Sequence, residues 1–156
     1  EKNEIPVGGF IHLSPADEAG VLKLGYERRR KHREWVRLAT TSDNRINFEL
    51  KRRQIGCEYD DLLIVGTDVV AAIDALWRRA EANQRSIVSL LIELFSTLSD
   101  LTPQKTVHAK TLYSALNMLR RSPPGPIFAE LMNNPAFQTV GDHYWMFDKS
   151  HLQGGR

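Results

Sequence analysis

Hydrophobic and polar positions change period several times along this chain, and the changes mark its elements. Over Arg45–Arg53 they alternate, with Ile46, Phe48 and Leu50 on one side and Asn47, Glu49 and Lys51 on the other. That is the period-two pattern of a half-buried strand. Residues 34–40 alternate more weakly around Trp35, Val36 and Leu38, and Thr41, Ser42, Asp43 and Asn44 form a turn cluster between the two runs. An apolar run at 59–65, ending before Gly66, predicts a third and more buried strand. The three together predict a small antiparallel sheet. Ahead of them, residues 1–13 read as an extended arm with a Gly8-Gly9 break. Ser14-Pro15-Ala16-Asp17 then reads as a helix start, with serine as cap, proline at the first helical position and Asp17 and Glu18 at the positive end of the dipole. The helix is predicted to run to about residue 32, weakened at Gly20 and Gly25.

In the second half the period lengthens to that of a helix. Thr67-Asp68 is expected to cap a helix carrying Val69, Val70, Ile73, Leu76 and Trp77 on one side. Ile87–Leu98 is apolar nearly all round, as in a helix buried by its neighbours. Thr102-Pro103 is expected to start the next helix, with Val107, Leu112, Ala115, Leu116 and Leu119 along its inner line. Ser122-Pro123-Pro124-Gly125-Pro126 predicts a sharp turn. A short helix is expected at 127–133, stopped by Asn133-Asn134-Pro135. Finally, 136–140 and 143–147 flank Gly141-Asp142, the Gly-X signal of a type II′ hairpin.

The expected fold class is therefore α+β. A basic helix and small antiparallel sheet (residues 1–66) pack on a helical part (residues 67–156). At 156 residues, with 42% hydrophobic and 26% charged residues, the chain can bury a substantial core without a covalent staple. Cys57 is the only cysteine, so no internal disulfide forms and a reducing compartment is expected, the cytoplasm or, in a eukaryote, the nucleus. The most apolar stretch, Ile87–Leu98, is broken by Glu93 and is too short to span a bilayer, so no membrane association is expected.

The order helix, break, helix, hairpin over residues 102–147, with the ending F-x-x-V-G-D-x-Y-W, resembles the winged helix-turn-helix superfamily. It is also similar to the HARE-type helix-turn-helix, although the Pro-rich turn departs from that pattern. The resemblance covers roughly the last 60 residues. It implies a module that binds DNA, or one that docks a protein partner within a larger assembly.

Charge adds to this picture. The formal net charge is only +2, but Arg28, Arg29, Arg30, Lys31 and Arg33 form one basic run and Lys51, Arg52 and Arg53 another. Two such runs read as a phosphate-tracking patch. The helix expected to begin at Thr102 would present Lys105, His108, Lys110 and Asn117 to a groove. The helix at 127–133 offers no cation, and the hairpin tip carries acidic Asp142 beside His143. Trp35 and Tyr26 lie beside the basic run, where they could stack on a base.

Catalytic signals are weak by comparison. Glu49-Leu50-Lys51 matches the E-x-K strand of PD-(D/E)xK nucleases, which also need an acid from the preceding strand to hold a metal, and Asp43 lies in a turn instead. The five histidines show no paired metal spacing, and no nucleophile elbow or phosphate loop is present. The sequence thus predicts a non-catalytic, cofactor-free binder of double-stranded DNA. Its alternatives are an assembly module and, third, a nuclease fragment; no small-molecule substrate is expected.

Overall fold

The computed structural model describes residues 11–26, 34–53 and 63–152. The architecture is α+β. In chain order the described elements are β1 (Ile11–Pro15), β2 (Leu22–Tyr26), β3 (Glu34–Ser42), β4 (Arg45–Arg53), β5 (Leu63–Val65), α1 (Val70–Ala82), α2 (Ile87–Leu98), β6 (Thr106–His108), α3 (Ala109–Leu119), α4 (Pro124–Asn133), β7 (Phe137–Gly141) and β8 (Tyr144–Phe147). Short 3-10 turns lie at Ser99–Leu101 and Lys149–Leu152.

The expected helix from Ser14 is corrected over its first part: residues 11–26 form an antiparallel hairpin. The Ser-Pro-Ala-Asp signal is local, whereas Ile11 and Leu13, then Leu22 and Leu24, alternate at the period of a strand. Gly20, at φ +81°, supplies the turn, and the Ala16 N–H donates to the Val21 carbonyl at 3.0 Å. The basic residues Arg28, Arg29, Arg30, Lys31 and Arg33 lie outside the described residues, as does the 59–62 part of the third expected strand.

Strands β3 and β4 form a nine-residue ribbon closed by Asp43 and Asn44, at φ 50° and 59°. Positive φ at both central residues is the signature of a type I′ turn. β5 joins the other side of β3 in parallel, so the sheet has the order β4-β3-β5 and is mixed rather than antiparallel. A run of apolar residues identifies a strand without setting its direction.

Helix α1 begins at Val70 after an N-cap, Val69, that makes no side-chain cap bond; Thr67 and Asp68 precede it in a turn. Ser86 caps α2, its hydroxyl accepting from the Ser89 N–H at 3.2 Å. The expected helix start at Thr102-Pro103 is also corrected. The Thr102 hydroxyl donates to the Thr106 carbonyl at 3.0 Å, Lys105 takes φ 55°, and 106–108 extend to pair with β8. Pairing with β8 satisfies this backbone better than another helical turn would. α4 begins at Pro124 rather than Ile127. Pro123 is the N-cap, and Pro124 and Pro126 fall in the first turn, where the backbone N–H they lack has no helical acceptor. The last hairpin turns at Asp142 and His143, at φ 47° and 63°, which makes it type I′ one residue beyond the expected type II′ site. Gly141, at φ 100°, marks an irregularity in the β7–β8 register.

One apolar core joins the ribbon to the helices. Ala39, Ile46 and Phe48 belong to the same buried cluster as Leu90, Leu91, Leu94, Phe95, Leu112, Leu116, Ile127 and Leu131. The third sheet, of order β6-β8-β7, closes this core through Phe137 and Trp145. Phe95 is fully buried and stacks on Phe137 and Phe147, with ring centroids 5.3 and 5.9 Å away.

Truncating Phe95 removes contacts to the helices and the last sheet together. The variant Phe95→Ala is expected to lose about 3–5 kcal/mol of unfolding free energy, read as a lowered midpoint in chemical denaturation. A loss under about 1 kcal/mol would place the ring outside the core.

Candidate nucleic-acid interface

The β3–β4 ribbon is anchored at one end and open at the other. At the turn end its inward pairs, Thr41 with Ile46 and Ala39 with Phe48, meet the helices, and the Arg79 guanidinium donates to the Asn44 side-chain oxygen at 3.2 Å. Toward the opposite end the same face continues as Arg37 with Leu50 and Trp35 with Arg52. There the side chains emerge into solvent: Trp35 is 60% exposed, and Leu50, Lys51, Arg52 and Arg53 are exposed as well. The Arg52 guanidinium lies 5.9 Å from the centroid of the Trp35 ring, within the range of a cation–π contact. Lys51 pairs with Glu49 at 2.6 Å on the opposite face.

Further charge lies next to this end in the sequence. Glu34 pairs in register with Arg53, and Arg33, the last of the basic run, is the residue before Glu34. Residues 27–53 carry ten Lys and Arg against four Asp and Glu, a net +6, while the remainder of the chain is net −4. A nearly neutral protein therefore has a strongly polarised sequence.

The expected groove face looks different. Lys105 is not on a helix: it sits in the turn before β6 and pairs with Asp100 at 2.7 Å. That hydrogen bond, with the lysine's charge, holds the Asp100 carboxyl below the ordinary aspartate range. His108 is the cap of α3, its Nδ1 accepting from the Lys110 N–H at 3.1 Å, and its ring lies edge-on to Tyr144 at 5.0 Å. The Asn117 amide donates to the Tyr113 carbonyl at 3.0 Å, and its oxygen accepts from the Ser122 N–H at 3.1 Å. Those bonds fix the α3–α4 junction. Lys110 is exposed. Of the four expected groove residues, three are thus engaged in intramolecular contacts.

Helix α4 presents a face that a scan for charge overlooks. Phe128 and Met132, four residues apart, are both exposed, Met132 by 71%, and the helix contains no Lys or Arg. The i, i+4 spacing of two large apolar residues, next round the helix from the buried pair Ile127 and Leu131, is the readable signal. Arg37 was also overlooked. It lines a groove between the ribbon and the last hairpin, together with Gln104, Thr106, Val140, Asp142 and Tyr144. A second recess, between α1 and α3, holds Trp77, Arg85, Arg120 and Arg121. Arg85 is tied to Glu93 at 2.7 Å, and the Arg120 guanidinium donates to the Arg85 carbonyl at 2.6 Å.

Neither residue of the E-x-K pair has an acid directly opposite it on the neighbouring strand. Glu49 faces Leu38 and Lys51 faces Val36 across the ribbon. Among the described residues no group of three His, Cys, Asp or Glu side chains comes together, and no helix is long and apolar enough to cross a membrane.

If Lys105 is held as described, Lys105→Ala should move the Asp100 titration up toward the ordinary aspartate range, followed by NMR of the carboxyl carbon. The sign follows from the pair: its contribution is present at neutral pH and is lost only in acid, as the pH falls through the lowered value. An unmoved midpoint would mean that the lysine is available for other partners.

No family model, no curated protein and no solved structure matches this chain, so its own residues carry the functional reading.

Proposed function

We propose that this chain is a non-catalytic nucleic-acid-binding protein that grips the backbone of double-stranded DNA with the open end of the β3–β4 ribbon. The observation that carries the reading is the polarised charge: +6 over residues 27–53 and −4 elsewhere, with Lys51, Arg52 and Arg53 exposed at the ribbon end. Phosphate contacts supply most of the affinity of such complexes, and their strength is set by local rather than net charge. A two-stranded ribbon also has the width to enter the major groove, so Trp35 and Arg52 can reach base edges while Arg53 meets phosphates, and Lys51 joins them only by leaving its ion pair with Glu49.

The C-terminal half has the role of a scaffold in this proposal. We take residues 87–147 to be a winged helix-turn-helix. The element order α2-β6-α3-α4-β7-β8 and the sheet order β6-β8-β7 support that assignment. Its α4, in the position of a reading helix, lacks cations, and its hairpin tip carries Asp142. Both features argue against groove insertion by α4, because like charge and an apolar surface are poor matches to a polyanion.

A second reading rests on the same helix. Exposed Phe128 and Met132 fit an apolar patch on a protein partner, which would make the domain an assembly module.

Salt and substitution separate the two. The protein should bind a short DNA duplex with an affinity that falls steeply with salt. Arg52→Ala with Arg53→Ala should weaken binding roughly tenfold or more at low salt and lower the log–log salt slope by about 2. Phe128→Asp with Met132→Asp should leave both quantities unchanged. Duplex binding that is absent, or indifferent to the two arginines, would reject the ribbon interface; sensitivity to the α4 pair instead would favour contact through the helix.

A further inference from the structure

The β1–β2 hairpin is amphipathic, and its apolar face is exposed among the described residues. In register, Ile11 stands opposite Tyr26, Leu13 opposite Leu24 and Pro15 opposite Leu22. Because side chains alternate across a strand pair, these six residues share one face. The other face carries His12, Ser14, Lys23 and Gly25. All six apolar residues are exposed, with Leu13, Leu22 and Leu24 at 63%, 62% and 58%. Two strands without a covered apolar face are marginal in water, and a contiguous patch of this kind marks an interaction surface.

We propose that this face pairs with the same face of a second copy of the chain, so that two hairpins stack into a four-stranded sandwich about a two-fold axis. Three observations favour a second copy. The face holds no charged residue, so a self-complementary contact brings no like charges together. The nearest charges lie off it: Asp17 in the turn pairs within one copy with Lys23 on the opposite face of β2, at 3.5 Å. The exposed portions of the six side chains total on the order of 500 Å² per copy, so pairing two faces removes about 1,000 Å², the lower bound for a specific interface. Other exposed apolar residues of the chain offer a poorer match. Trp35 and Leu50 are interleaved with cations, and Phe128 and Met132 are a single pair on a helix.

This inference does not rest on nucleic-acid binding, and salt acts on the two with different signs. An apolar interface is not weakened by added salt, whereas phosphate contacts are. The test uses the full chain in light scattering and sedimentation, with complementary charge variants. Wild type is expected to run at twice the chain mass at micromolar concentration and to stay dimeric in high salt. Leu13→Glu with Leu24→Glu should be monomeric, as should Leu13→Lys with Leu24→Lys, and mixing the two should restore a heterodimer. A monomeric wild type at 100-fold higher concentration would overturn the proposal. So would variants that remain dimeric, or a mixture that stays monomeric.

Discussion

Helix α2 packs Leu90, Leu91, Leu94, Phe95 and Leu98 against strand β4, helix α3 and helix α4 at once. Keeping those five side chains from water is the constraint the other elements satisfy. Each is worth about 1.5–3 kcal/mol when fully buried, so together they supply a gross term on the order of 10 kcal/mol, comparable with the net stability of a whole domain. Their demand for cover explains why Ile46 and Phe48 draw the turn end of the ribbon inward and why Phe137 and Phe147 stack on Phe95. It also explains what is left outside. The apolar helix can seat only part of a nine-residue ribbon: Leu50 through Arg53 are exposed, and Val36, opposite Lys51, is buried instead in a small separate cluster with Ile64.

Function, as proposed, lies in that exposed end. The helical half supplies rigidity and is neutral, with eight Lys and Arg against eight Asp and Glu over residues 63–152, while the open end of the ribbon carries Lys51, Arg52 and Arg53. Local cations draw a polyanion, so exposed Lys51, Arg52 and Arg53 favour contact through the ribbon over contact through α4, which has no Lys or Arg, or through the acidic hairpin tip. Asn117, His108 and Lys105 show the complementary case. Their polar groups are taken by a helix junction, a helix cap and an ion pair, which leaves them little to offer a groove.

Much of this fold was legible in the residue pattern. The alternation over Arg45–Arg53 and the apolar helix Ile87–Leu98 correspond to elements with those same bounds. What escaped the pattern has physical causes. Ser14-Pro15 satisfies the local rule for a helix start, but the strand alternation on either side of Gly20 outweighs it. Within the segment expected as a helix start, residues 106–108 pair with β8, a partner nearly forty residues away that no local window contains. The cap of α3 is a histidine, a residue rarely used there, so nothing announced it. At the candidate interface the triplet Lys51-Arg52-Arg53 was readable as charge. Its exposure was not, because that depends on where α2 stops covering the ribbon. The open face of the β1–β2 hairpin could not be anticipated while residues 1–13 were read as an extended arm and those from Ser14 onward as a helix.

The central claim is that the ribbon end, and not the helical half, meets nucleic acid. Backbone and indole N–H chemical shifts recorded during titration with a short DNA duplex test it most directly. The account predicts progressive shifts of the Trp35 indole and of the Lys51, Arg52 and Arg53 amides, with α4 unmoved. Shifts confined to residues of α3 and α4, with the ribbon silent, would contradict it.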